Sequence, residues 1–136
     1  MSEQKIITIA AAIILNSNNQ TLLVRKKNTS KFMHVGGKLE ANEFPEQALK
    51  REVFEEIGCE IEILSFIGQY QNLAANEADH TLLSYVYHVA LKGKPQLQAE
   101  LAELKWVDLT DTTLDLAPLT KEVSIPWCKD FIADKV

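Results

Sequence analysis

Cysteine is scarce in this chain: only Cys59 and Cys128 occur, in neither a CxxC nor a Cys/His ligand spacing. That excludes a disulfide scaffold and argues for a reducing compartment, with both thiols read as core residues. Long hydrophobic runs are also missing. The apolar stretch from Ile6 to Leu15 falls short of the roughly 20 residues that a membrane-spanning helix takes, and the Asn-rich turn after it makes a hairpin a better reading than a secretory leader. Positive charge is in deficit as well, 14 Lys and Arg against 19 Asp and Glu, for a net charge of -5. A field of that sign repels polyanions, so nucleic acid is not expected as the primary partner. A phosphate-bearing substrate would need a divalent cation or a few local Lys and Arg residues. No internal repeat, low-complexity tract or linker interrupts the 136 residues, of which 46% are hydrophobic. One cytoplasmic domain over residues 1–136, with no membrane partner, is the expectation.

The residues that are present punctuate the chain clearly. Ile6–Leu15 and Thr21–Lys26 are rich in β-branched and aliphatic side chains around Asn16-Ser17-Asn18-Asn19, which predicts an opening hairpin. A polar connection, containing Asn28, Thr29 and Ser30, leads to a loop at Gly36-Gly37. Pro45 then stands where a first helical turn begins and Gly58 where it stops, so a helix is predicted over Pro45–Ile57. Ile61–Gln71, Thr81–Leu91 and Leu104–Asp108 read as strands. Val123, Trp127, Phe131 and Ile132 recur at helical spacing within Thr120–Ala133, predicting a closing helix. The fold class is therefore α/β (α+β), a mixed sheet with helices packed on it.

The chemistry concentrates on the first helix. Residues three and four apart share a helix face, so Glu52, Glu55 and Glu56 project into one small volume, while Ala48, Leu49, Val53 and Ile57 occupy the opposite face. Gathered carboxylates repel one another and call for compensation. Hard oxygen ligands suit Mg²⁺, which keeps several waters and commonly bridges carboxylates to phosphates. Arg51 can hold a neighbouring carboxylate in place, and the glycines can bring a backbone carbonyl to the same metal. A glutamate-rich helix face alone is usually only a solvated face. The ordered set Gly36-Gly37, Glu43, Arg51-Glu52, Glu55-Glu56 and Gly58 is far more specific.

That set resembles the Nudix box, with Gly37, Glu43, Arg51, Glu52, Val53, Glu55, Glu56 and Gly58 in its fixed places. Cys59 stands where the box has an aliphatic residue and Val35 where many members have proline. The resemblance implies a Nudix-type α/β/α sandwich with a mixed central sheet, and Mg²⁺, with Mn²⁺ as a substitute, as cofactor. It implies Glu52, Glu55, Glu56 and the Gly37 carbonyl as metal ligands, with Arg51 and Glu43 positioning the helix. The implied reaction is hydrolysis of a diphosphate linkage in a small nucleotide, a nucleoside diphosphate joined to another group, by an enzyme of a family that often forms homodimers. The base stays open among Glu55, Glu56 and a glutamate ahead of Trp106, where Glu100 is favoured over Glu103. Lys38 and Arg25, among the cations Arg25, Lys26, Lys27 and Lys38, are candidates for phosphate, and Phe32, like Tyr70, for stacking on a base. By resemblance Leu116–Leu119 forms a wall of the base pocket, where Ala117-Pro118 replaces an asparagine of some relatives acting on oxidised dGTP. His34, His80 and His88 are too dispersed for a metal or nucleophile pattern and are read as structural or surface residues. Two other readings compete with a hydrolase: a nucleotide sensor on the same fold, against which the complete glutamate set counts, and an isomerase of an isopentenyl diphosphate.

Overall fold

A computed structural model describes residues 5–74, 77–98 and 100–134. The strands are β1 (Lys5–Ile14), β2 (Gln20–Lys26), β3 (Val35–Lys38), β4 (Ile61–Leu73), β5 (His80–Leu91) and β6 (Leu101–Asp108). The helices are α1 (Pro45–Ile57) and α2 (Ile125–Ala133), the latter entered through a π-helical turn at Thr120–Ser124. A four-stranded mixed sheet runs in the order β3-β1-β5-β4, and β2 pairs with β6 in a second, two-stranded sheet. β1 lies parallel to β5 and antiparallel to β3.

The predicted opening hairpin is corrected to a turn. Asn16 N–H donates to the Gln20 carbonyl at 3.0 Å and Leu15 bridges Thr21, but the two strands then part. β1 is one of two inner strands of its sheet and buries both faces: Ala10, Ala12 and Ile14 enter the core under α1, while Ala11 and Ile13 enter the core under α2. With both edges taken by β3 and β5, it has no ladder left for β2, which pairs with β6.

α1 has the bounds its punctuation implied. Pro45 opens it, the Phe44 N–H donates to Gln47 Oε1 at 2.9 Å, and Gly58 ends it in the left-handed region at φ 69. Its buried residues are Ala48, Leu49, Val53 and Ile57, of which the last three contribute about 1.5–3 kcal/mol each by leaving water. α2 covers the other sheet face with buried Cys128, and Trp127 stacks on Phe131 at 4.9 Å with His88 of β5 against both. The closing helix was expected to be α-helical from Thr120. Pro126 has no N–H to donate backwards, and one residue earlier the Ile125 N–H reaches the Thr120 carbonyl, which widens the entry into a π-turn.

Candidate active site

The Gly36-Gly37 segment, expected as a loop, is the edge strand β3, in register with Ala11 and Ala10 of β1. Gly36 has φ 147, and a Cβ there would collide with the Ala10 carbonyl oxygen. At Gly37 a Cβ would strike the Glu52 carboxyl group, so the missing side chain is what lets α1 press its glutamates against this strand.

Arg51 organises one end of the site. Its guanidinium grips Glu43 with two hydrogen bonds of 2.8 Å, reaches Glu52 at 2.8 Å and Glu55 at 3.4 Å, and donates to the Lys38 carbonyl at 3.0 Å. These bonds hold the Glu43 carboxyl down at about 2 and raise the guanidinium above its ordinary value. Arg51 thus ties the residues after β3 to the middle of α1.

Glu56 lies deeper. Its Oε1 accepts the Gly36 N–H at 3.0 Å. Burial pushes its carboxyl up to about 7; the Gly36 hydrogen bond and Lys26 pull it down, and Glu52 and Glu55 push it further up.

A cleft of ≈ 480 Å³ collects these groups. Glu52, Glu55, Glu56, Glu77, Glu100, Gly37, Lys26 and Lys38 line it. Ile7, Ile9, Leu82 and Leu119 supply apolar lining, and His34 lines it too. Arg25 and Phe32 are not among the lining residues. Arg25 pairs with Glu103 at 2.8 Å and donates to the Thr29 carbonyl at 2.7 Å. Phe32 is buried in a separate core with Leu23 and Val107. Strand alternation accounts for the change of cation, since Arg25 and Lys26 are neighbours on β2 and point to opposite faces; the register slip beside them leaves the extra residue, Ala102, on β6. Lys26, one of the four cations considered for phosphate, lines the cleft, as does His34, read from sequence as a structural or surface residue. His34 could have been found by reading Val35–Lys38 as a strand, which would have put the preceding residue beside the site.

The chain matches the model of the NUDIX domain over residues 6–128 and belongs to the Nudix family. It is a Nudix hydrolase, of a class that uses a divalent cation and acts on small nucleotides. Among curated proteins, it is 30% identical to a putative 8-oxo-dGTP diphosphatase of Bacillus subtilis, over 82% of this chain and 73% of that protein. It is 47% identical to the 8-oxo-dGTP diphosphatase of Haemophilus influenzae over a shorter stretch, 41% of this chain and 44% of that one. Among solved structures, a MutT Nudix hydrolase from Burkholderia pseudomallei superposes with a TM-score of 0.79 at 22% identity, covering 90% of this chain and 98% of that one, which shows the shared fold.

The residues present fit a divalent cation by donor chemistry: three carboxylates with hard oxygens on one cleft wall, beside a glycine strand in close contact with Glu52. Among the described residues no three such groups converge on one point. Glu52 and Glu55 are held by Arg51 instead, and Glu56 by the Gly36 amide. Each of these bonds uses one carboxylate oxygen, Glu52 Oε1, Glu55 Oε2 and Glu56 Oε1, and leaves the other oxygen for a cation. Among the described residues no helix is long and apolar enough to cross a membrane.

Proposed function

We propose that this chain hydrolyses, with Mg²⁺, a diphosphate linkage of a nucleoside triphosphate or another nucleoside diphosphate derivative. The observation that carries the reading is the composition of this cleft, which joins carboxylates and cations to an apolar lining within a volume suited to one nucleotide. The names of the two curated relatives favour deoxynucleoside triphosphates, oxidised purines included, as the first class to test.

In this reading Glu52, Glu55, Glu56 and the Gly37 carbonyl would hold Mg²⁺, which when bound neutralises phosphate charge and lowers the pKa of a water. Arg51 and Glu43 keep α1 against β3. Lys26 and Lys38 offer cations to the phosphates. A water oxygen attacks phosphorus and the bridging P–O bond breaks, its electron pair leaving with the departing phosphate. The water's proton passes to a carboxylate of the cleft, Glu100 or Glu56, the latter already held near neutrality.

The test is release of phosphate or pyrophosphate from nucleoside triphosphates, oxidised nucleotides, nucleotide sugars, ADP-ribose and dinucleotides, with Mg²⁺ and with EDTA. Magnesium-dependent release from one class is the expected result. Tight binding of a nucleotide without turnover anywhere in the panel would replace the hydrolase reading with a sensor on the same fold. Glu100→Gln and Glu56→Gln then separate the two bases, because loss of the base lowers kcat and removes its limb of the pH–rate profile, leaving nucleotide binding in place.

A further inference from the structure

Of the polar residues lining the cleft, the hydrolytic chemistry leaves Glu77 and His34 unused, and His34 is the buried one. His34 lines the cleft and is only 8% exposed. Burial pushes its imidazole down to about 4, so the ring is neutral at pH 7, with one nitrogen carrying hydrogen and the other a lone pair. Nδ1 lies 3.1 Å from Oγ1 of the fully buried Thr120. Nε2 is buried and has no hydrogen-bond partner. A buried ring nitrogen without a partner forfeits its hydrogen bond to water, and such groups in native folds call for a reason.

The surroundings suggest the reason. Ile7, Ile9, Leu82 and Leu119 offer apolar walls to a flat ring, and no other unpartnered buried side-chain nitrogen occurs among the described residues. A heteroaromatic base has apolar faces and a hydrogen-bonding edge, which is what apolar walls with one placed polar atom select. The Thr120 hydroxyl can donate to Nδ1 or accept from it. In the first state Nε2 carries the hydrogen and meets a ring carbonyl; in the second it offers a lone pair to an exocyclic amino group.

We infer that His34 Nε2, oriented by Thr120 through Nδ1, is the group that hydrogen-bonds the base edge of a nucleotide held in this cleft. The inference rests on the proposed nucleotide reading of the same site. It makes His34 a determinant of how much the base contributes to recognition, with no part in the bond cleavage.

The experiment compares the wild-type protein with His34→Phe, which keeps a flat ring and removes both nitrogens. The preferred nucleoside triphosphate from the panel and the matching base-free ribose triphosphate are assayed for kcat and KM. In parallel, binding of the four deoxynucleoside monophosphates is measured in EDTA, with the Nε2 resonance of ¹⁵N-histidine-labelled protein as a site-specific signal. In His34→Phe the preference for nucleotide over base-free substrate should fall by about fivefold or more, the worth of one neutral hydrogen bond, through KM. Turnover of the base-free substrate should be unchanged, and nucleotide should shift the wild-type Nε2 resonance. A merely structural histidine would lower both substrates alike, which overturns the inference, as does monophosphate binding within about twofold of wild type. Should His34→Phe fail to fold, His34→Gln, which keeps an amide near Nε2, retains part of the preference, whereas His34→Leu abolishes it; equal preference in those two refutes the assignment. A wild-type protein that binds monophosphates with the Nε2 shift but hydrolyses nothing would end the hydrolase proposal and leave this inference standing. Absence of any nucleotide binding would end both.

Discussion

The carboxylates of the cleft and its buried histidine meet the same physical demand with opposite results. Among the carboxylates, charge is abundant and partnered: Arg51 alone touches Glu43, Glu52, Glu55 and the Lys38 carbonyl. His34, which shares the cleft with aliphatic side chains, is half-partnered. Burial penalises the charged form in both places. It therefore raises the acid Glu56 to about 7 and lowers the base His34 to about 4, so each is closer to its neutral form. One cleft thus combines carboxylates of the kind that suit a cation with apolar side chains and a neutral imidazole of the kind that suit an uncharged ring.

The sharpest way to break this contrast is Glu56→Gln, which keeps the volume and removes the charge. Turnover should fall about a hundredfold or more with the fold intact, measured as kcat under saturating Mg²⁺; full activity would remove Glu56 from the chemistry. In EDTA the same substitution should stabilise the protein above neutral pH. The sign follows from linkage: between about 4.5 and 7 the unfolded chain releases a proton that folded Glu56 keeps, so wild-type stability falls as pH rises through that window.

His34 slopes the other way. Below its ordinary 6.5 the unfolded chain takes up a proton that the folded protein refuses down to about 4, so stability should fall as pH drops across that range, by about 3 kcal/mol in all. Urea melts of wild type and His34→Phe from pH 7 to 4 test this, and parallel curves for the two proteins would contradict it. Glu43 adds to the acid-side loss, because its depressed carboxyl contributes stability that disappears as pH falls from about 4.5 toward 2.

Arg51→Lys should cost about 2 kcal/mol by denaturant melt, because an ammonium cannot hold Glu43 bidentately while reaching Glu52. It should also lower kcat by freeing the glutamates of α1. An unchanged melt would mean that the fork contributes geometry alone. The smallest effect is expected at Arg25→Ala, whose partner Glu103 is exposed: less than about 1 kcal/mol, with KM for nucleotide unchanged. A raised KM there would return Arg25 to the cleft.

Local chemistry determined a good part of this molecule. Pro45 and Gly58 bound α1, the apolar positions from Ala48 to Ile57 select its buried face, and the spacing of Glu52, Glu55 and Glu56 places three carboxylates together, because helix geometry is a property of neighbours in the chain. Tertiary structure decided the rest. Whether β1 pairs with β2 or with β5 depends on which edges are free once the sheet assembles. Gly36-Gly37 becomes a strand only because β1 lies beside it. Which of the neighbours Arg25 and Lys26 faces the cleft depends on how β2 is laid against the rest of the fold, and Phe32, read from sequence as a stacking surface, is closed into a core by Leu23 and Val107. His34 and Thr120 stand 86 positions apart, and no local pattern could bring that hydroxyl to that imidazole. Spacing along one helix is written in the sequence, whereas contacts between distant segments are settled by how the sheet and both helices pack.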